Sequence, residues 1–426
     1  MIDSLVPSAA EGRFSGEVPD ACSTMRKSRV DAPASNQNGS ECQAISGADG
    51  LVLYIHWPFC VSKCPYCDFN SHVRETLDQE QWRGALLKDL AFEAGAAPGA
   101  RLGSIFFGGG TPSLMPPQTA AALIEAAERH WGFAPGIEIT LEANPSSVEA
   151  ARFADLAAAG VNRVSLGLQS LDDEALRVLG RAHGVAEGLA ALETAQSVFA
   201  RVSFDLIYAL PGQTEAAWQA ELARALSFGT GHLSLYQLTI EPGTRFAALA
   251  AKGELAQTDP DHAAALYELT QAMTDAAGIP AYEISNHARP GEESRHNLAY
   301  WRYQSYLGVG PGAHGRRGGS VTQRHKKPEN WLSALARTGS GIAEETPLEP
   351  AEKGVEALLM GLRLREGVDL ARIAALADRP IQTLVDSDAL RRLERQGLLQ
   401  QNETRLRVTP AGMLLLDAIL PEIVLA

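Results

Sequence analysis

From residue 51 onward, short runs of apolar, β-branched and aromatic residues alternate with longer Ala- and Leu-rich stretches whose apolar positions recur every three or four residues. The first pattern suits buried strands and the second amphipathic helices, so together they predict repeated βα units around a parallel sheet. Strands are expected over 51–57, 104–107, 136–142, 163–168, 201–209 and 232–240. Helices are expected near 79–94, 117–130, 148–159, 186–199 and 215–228, long enough for right-handed crossovers. The expected class is α/β, a partial (β/α)6 TIM-like barrel. Beyond it, 352–364, 370–377 and 386–396 read as helices, followed by a hairpin around Asn402-Glu403 and a last helix. That order resembles a winged helix.

Residues 1–50 lack a sustained apolar period and are rich in Ser, Ala, Gly, Asn and Asp, so they are read as a disordered extension. The remainder divides into a barrel core over 51–290, a connecting region over 291–348 and a C-terminal winged-helix-like module over 349–426. A length of 426 residues accommodates this division, at roughly 100 to 200 residues per domain.

Composition changes the picture in two ways. The 37 Lys and Arg against 51 Asp and Glu leave a net charge of −14, which opposes nucleic acid or an anionic membrane as partner. It also favours a C-terminal module that packs on the barrel or meets a protein over one that binds DNA. No run of about 18 apolar residues occurs, and the first 13 residues do not read as a signal peptide, so the chain is not expected to be an integral membrane protein. Three of the five cysteines crowd into residues 60–67, poor spacing for a secreted disulfide framework, and the expected compartment is the cytoplasm. Cys22 and Cys42 lie in the polar extension and are read as incidental thiols.

Cys60, Cys64 and Cys67 occupy one loop directly after the first strand. Short loop spacings let the backbone wrap one iron–sulfur cubane, and thiolate is the soft ligand its irons prefer. Three ligands leave one iron open. The alternative is a structural zinc site completed by His56 or His72. Chemistry in such folds gathers where strands end, and several strands run into polar or Gly-rich ends: Gly108-Gly109-Gly110-Thr111, Glu142-Ala143-Asn144-Pro145, Gln169-Ser170, with Asp205 inside an apolar strand. The glycines suit close approach of a ligand to the backbone, or simply a tight turn. Glu142, Gln169, Arg181 and Asp205 offer carboxylate, amide and guanidinium contacts to a polar cofactor.

The segments LYIHWPFCVSKCPYCDF, FFGGGTPS, EANP, VSLGLQS, FDLIYALPGQT, YQLTIEPGT, HNLAYW and YLGVGPGAHG together resemble the radical S-adenosylmethionine (SAM) family. The resemblance runs from about residue 51 to the C-terminus. It is to the proteins related to oxygen-independent coproporphyrinogen III dehydrogenase and, most closely, to heme chaperones of the HemW type. It implies a [4Fe–4S] cluster on Cys60, Cys64 and Cys67, and SAM contacts at Tyr54, Tyr66, Gly109, Gly110, Thr111, Glu142, Gln169, Arg181 and Asp205. In such proteins an electron from the cluster cleaves SAM to a 5′-deoxyadenosyl radical.

The dehydrogenases carry a further cysteine two residues after the third ligand, where this chain has Phe69. His296-Asn297-Leu-Ala-Tyr300-Trp301 instead matches the HNxxYW pattern of the chaperones, which implies heme handling at His296, Asn297, Tyr300 and Trp301. Without that resemblance the segment reads as a packed aromatic cluster, with His296 and Tyr300 on one helix face. His314 and His325 are further heme-ligand candidates. The implied function is heme binding and delivery to apo-hemoproteins, with heme, SAM and the cluster as cofactors. The competing reading is oxidative decarboxylation of coproporphyrinogen III in porphyrin biosynthesis. Monomer and homodimer both stay open.

Overall fold

The computed structural model describes residues 50–425. The extension expected over 1–50, with Cys22 and Cys42, lies outside them apart from Gly50. All six expected strands form: β1 (Leu51–Trp57), β2 (Leu102–Gly109), β3 (Phe133–Ala143), β4 (Arg163–Gln169), β5 (Arg201–Tyr208) and β6 (His232–Gln237). They pair in parallel in chain order. Every residue of β1 is buried, as a central strand covered on both faces requires.

Helices Gln79–Ala96, Pro117–Trp131, Val185–Val198 and Glu215–Ser227 return the chain between strands. Local chemistry sets their starts: Asp78 accepts from the Gln81 N–H and Thr214 from the Ala217 N–H. The helix expected over 148–159 is instead two short ones, Ser147–Ala150 and Phe153–Ala158. Arg152, between them, donates to the carbonyls of Ser113 and Met115 and so ties the break to the loop after β2.

The segment 291–348, expected to be a connection, contributes to the sheet. After β7 (Asn286–Ala288) come β8 (Tyr306–Val309), β9 (His314–Arg317), β10 (Ser320–Arg324) and β11 (Ile342–Pro347). β8 pairs in parallel with β1, and the next three follow antiparallel. The result is an 11-stranded sheet in the order β11-β10-β9-β8-β1-β2-β3-β4-β5-β6-β7, an open barrel whose end strands do not meet. A buried ion network anchors the added strands: Arg324, 1% exposed, meets Asp89 at 2.7 Å and Glu93 at 2.8 Å, while Arg317 reaches Glu93 at 2.6 Å. Asp89 also accepts from the Gly310 N–H and the Trp331 indole.

The C-terminal module comprises helix Pro350–Gly361, β12 (Val368–Asp369), helices Leu370–Ala377 and Ser387–Arg395, the hairpin β13 (Leu399–Gln401) and β14 (Arg405–Val408), and helix Leu416–Ile423. The β13–β14 hairpin forms around Asn402-Glu403 as expected, and β12, which the sequence pattern did not single out, joins it in the order β12-β14-β13. Its core is continuous with Val52, Ala299, Tyr300, Trp301, Tyr303 and Tyr306 of the barrel, so the module packs on the barrel. No helix among the described residues is long and apolar enough to cross a membrane.

Candidate functional site

The cysteine loop leaves β1 at Pro58 and passes over the C-terminal ends of the parallel strands. Cys60, Cys64 and Cys67 are free and half-buried, and each thiol has a polar neighbour. The Thr111 hydroxyl donates to Cys60 Sγ at 3.4 Å, Arg181 Nη1 to Cys64 Sγ at 3.3 Å, and Ser71 Oγ lies 3.9 Å from Cys67 Sγ. Burial pushes the Cys60 and Cys67 thiols above their ordinary range, a cost that bound iron would reverse.

The zinc alternative finds no fourth ligand in His56, whose two ring nitrogens are both engaged. His56 Nδ1 pairs with the Tyr54 hydroxyl and its Nε2 with the Asn70 carbonyl, both at 3.0 Å. His72 Nε2 pairs with Asn70 Oδ1. Three thiols with donors around them, beside an Arg181 Nε that is buried without a partner, fit an anionic thiolate-bound cluster.

The glycines at the end of β2 are required by close approach. A Cβ on Gly110 would lie 2.8 to 2.9 Å from the O, C and N atoms of Phe59, and Gly109 adopts φ 113° against the His56 ring. Gly110 N–H bonds to the Trp57 carbonyl at 2.7 Å and Thr111 N–H to the Phe59 carbonyl at 2.9 Å, locking this turn to the start of the cysteine loop.

Around the turn, Gly109 N–H donates to Glu142 Oε2 at 3.2 Å. Gln169, at the end of β4, adopts φ 70°, a strained backbone for a long side chain and frequent at functional positions. Arg181 Nη2 donates to Asn144 Oδ1 at 2.7 Å and to the Gly167 carbonyl at 3.0 Å, while Nη1 lies 3.5 Å from the Tyr66 hydroxyl. Desolvation opposes the Arg181 charge, but Tyr66 and Cys64 hold its pKa above the ordinary value. Asn144 belongs to the EANP segment but not to the expected contacts. It bridges Arg181 and, through Nδ2, the Thr111 hydroxyl at 3.2 Å.

Beneath this rim is a narrow lumen of about 70 Å³, lined near the rim by Gly109, Glu142 and Phe69 and lower down by Tyr54, Arg163, Asp205 and His296. Burial raises the Asp205 carboxyl, although Ser234 and Ser165 bond to it. The floor is helix Arg295–Trp301. It abuts the starting ends of the strands: His296 Nδ1 meets Ser104 Oγ at 2.9 Å, His296 N–H reaches Glu138, and Arg201 holds the preceding Glu292 and Glu293 carbonyls.

The expected heme residues therefore divide between two faces. His296, Asn297 and Tyr300 line the lumen, with His296 1% exposed and stacked on Phe106 at 5.0 Å. Desolvation pushes the His296 imidazole down to about 3, so it is neutral. Trp301 faces away, into a pocket against the C-terminal module. His314 and His325 lie outside the lumen lining; His314 Nε2 pairs with Gln323 and His325 is tied through its backbone to Gly312 and Gly341.

Residues 54–225 match the Radical SAM superfamily model, and 348–415 match the HemN C-terminal domain. The mitochondrial radical S-adenosyl methionine domain-containing protein 1 of Bos taurus is 39% identical over 91% of this chain and 90% of its own length. Proteins named heme chaperone HemW are 38% identical in Mycobacterium tuberculosis, over 86% of this chain and 93% of theirs, and 36% identical in Escherichia coli, over 87% and 97%. The chain belongs to the radical SAM family, in its HemW group. The coproporphyrinogen III oxidase HemN of Escherichia coli, a radical SAM enzyme, superposes with a TM-score of 0.75 at 23% identity, covering 91% of this chain and 93% of that one. That likeness shows the shared fold. Radical SAM membership implies SAM and a [4Fe–4S] cluster, which the thiol loop and glycine turn described above fit.

Proposed function

We propose that this protein is a heme chaperone of the cytoplasm that takes up heme and delivers it to apo-hemoproteins. Cys60, Cys64 and Cys67 hold the [4Fe–4S] cluster. Gly109, Gly110, Thr111, Glu142, Gln169, Arg181 and Asp205, with Tyr54 and Tyr66, bind SAM, and the helix bearing His296, Asn297, Tyr300 and Trp301 handles heme. When bound, the cluster and SAM supply one-electron chemistry at the sulfonium. The chain's own residues position the cofactor: Glu142 and Asp205 offer acceptors, the glycine turn offers backbone, and Arg181 fixes the cysteine loop to the ends of β3 and β4 through Asn144 and Gly167.

The observation that carries this reading over the dehydrogenase is the lumen beside Phe69. Its phenyl ring lines the cavity at the position where the dehydrogenases carry a cysteine, so the thiol that marks those enzymes is replaced by an unreactive aromatic ring. The relatives named heme chaperone HemW support the same choice.

The test is anaerobic reconstitution followed by incubation with SAM, reductant and coproporphyrinogen III, with hemin titrated in parallel. Saturable hemin binding without protoporphyrinogen supports the chaperone. Multiple turnovers to protoporphyrinogen make the protein a dehydrogenase.

A further inference from the structure

Trp301 ends the floor helix and points away from the lumen into a second cavity, about 280 Å³, between the barrel and the C-terminal module. The Trp301 indole and the side chains of Arg302, Gln304, Glu366, Asp369, Arg372 and Arg405 give it its polar character. The site is built but unsatisfied. Trp301 is 5% exposed, yet its indole N–H has no hydrogen-bond partner, and neither does the buried Nε of Arg405. Both atoms are donors, so what completes them must be an acceptor.

The charges agree. Arg302 is neutralised by Glu366, which it meets at 2.8 Å and 3.0 Å. Arg372 donates to the carbonyls of Arg302 at 2.6 Å and Tyr303 at 3.2 Å, while the Asp369 carboxylate caps the following helix at the Arg372 backbone N–H. Among the described residues no carboxylate is in ion-pair contact with Arg372 or Arg405, although Arg405 acts on Glu366 at longer range and stands opposite Asp369 across the β12–β14 pair. The pocket thus sets three guanidiniums, Arg302, Arg372 and Arg405, against two carboxylates, Glu366 and Asp369, and in a chain of net charge −14 this local positive excess beside an unpaired indole donor marks a place for a carboxylate. Apolar surface from Ala357, Leu364 and Ile373 lies beside them. The volume is just under the ~300 Å³ at which small-molecule sites begin, so a larger flat ligand would enter by one edge.

We propose that this pocket binds the carboxylate edge of a tetrapyrrole, with Arg372 and Arg405 holding the carboxylates and Trp301 donating its indole N–H beside them. The inference rests on the heme-chaperone reading and deepens it by placing the ligand's acidic edge on the C-terminal module instead of at His296. It also gives the HNxxYW helix two jobs on opposite faces, closing the lumen with His296 and offering Trp301 to the ligand.

The experiment titrates hemin and hemin dimethyl ester against the full-length reconstituted protein as wild type, R372Q/R405Q, W301F and, as control, R407Q. Arg407 is exposed in the same hairpin, pairs with Gln400 and does not line the pocket. Each charge-assisted hydrogen bond is worth about tenfold or more. Wild type should therefore prefer the diacid to the ester by at least about tenfold, and R372Q/R405Q should lose that preference while binding the ester as wild type does. W301F should weaken the diacid alone, severalfold, and R407Q should change nothing. Equal wild-type affinity for the two hemins, or a preference that survives R372Q/R405Q, overturns the pocket assignment and leaves the chaperone standing. If wild type binds neither, the chaperone reading falls with it.

Discussion

Replacing Gly110 with Ala tests how the cysteine loop is held. The backbone there needs no positive φ, so the substitution brings no torsional strain; its whole effect is steric. The new Cβ would sit 2.8 to 2.9 Å from the O, C and N atoms of Phe59. Those are backbone atoms, fixed by the Gly110–Trp57 and Thr111–Phe59 hydrogen bonds, so no side chain can swing aside. Overpacking of this kind costs ~1–3 kcal/mol. Because Phe59 precedes Cys60, the strain falls on the first cluster ligand, lowering the population of the cluster-competent loop by roughly 5- to 150-fold. Anaerobic reconstitution with iron and sulfide counted per chain, together with SAM affinity, reads this directly. Gly84→Ala is the matched control. It lies inside helix Gln79–Ala96 with open space around its Cβ position, so the same methyl should stabilise by ~0.5–1 kcal/mol. A G110A protein that takes up iron and binds SAM like wild type would refute the claim that this contact shapes the loop.

Arg181→Lys should weaken SAM binding by about tenfold, measured by equilibrium dialysis, because one ammonium cannot serve Cys64, Asn144 and Gly167 together; unchanged affinity would deny Arg181 that role. Arg324→Leu strands the Asp89 and Glu93 carboxylates and should cost ~3–5 kcal/mol in urea unfolding, and a loss under 1 kcal/mol would make the network ornamental. Stability should fall between about pH 6.5 and 4. His183 and His287 are pushed down to about 4 and His296 to about 3, each chiefly by desolvation, so the unfolded chain takes up protons first and acid favours it. Glu283 has the opposite sign: desolvation raises its carboxyl to about 7, so it removes stability as pH rises from 4.5 to 7, and Glu283→Gln should gain most above pH 7. Urea midpoints across pH 4 to 8 check both, and a flat profile contradicts them.

Much of this architecture was legible because its signals are local. The parallel strands announced themselves as apolar runs, and three thiols within one loop need no tertiary knowledge to be read as ligands. What escaped depends on distant partners. Tyr306–Val309 is a short strand between glycine-rich loops and becomes one because it pairs with β1, more than 200 residues earlier in the chain. Asp89 and Glu93 are buried because Arg317 and Arg324, more than 200 residues later in the chain, reach them, and nothing local announces that pairing. Asn144 was visible in EANP, but its bridge from Thr111 to Arg181 exists only once three strand ends converge. HNLAYW shows the limit most clearly. The i, i+4 spacing placed His296 and Tyr300 on one face correctly, whereas the position of Trp301 against Arg372 and Arg405 required the C-terminal module to be docked.

A chaperone must both load heme and give it up. Reconstituted protein loaded with one equivalent of hemin is mixed with an apo-globin, and the absorbance of the holo-globin is followed against free hemin at the same concentration. A heme chaperone should load saturably and pass its hemin to the acceptor, with no protoporphyrinogen formed from coproporphyrinogen III in a parallel SAM-containing reaction. Failure to load or release hemin, or catalytic formation of protoporphyrinogen, would contradict that function.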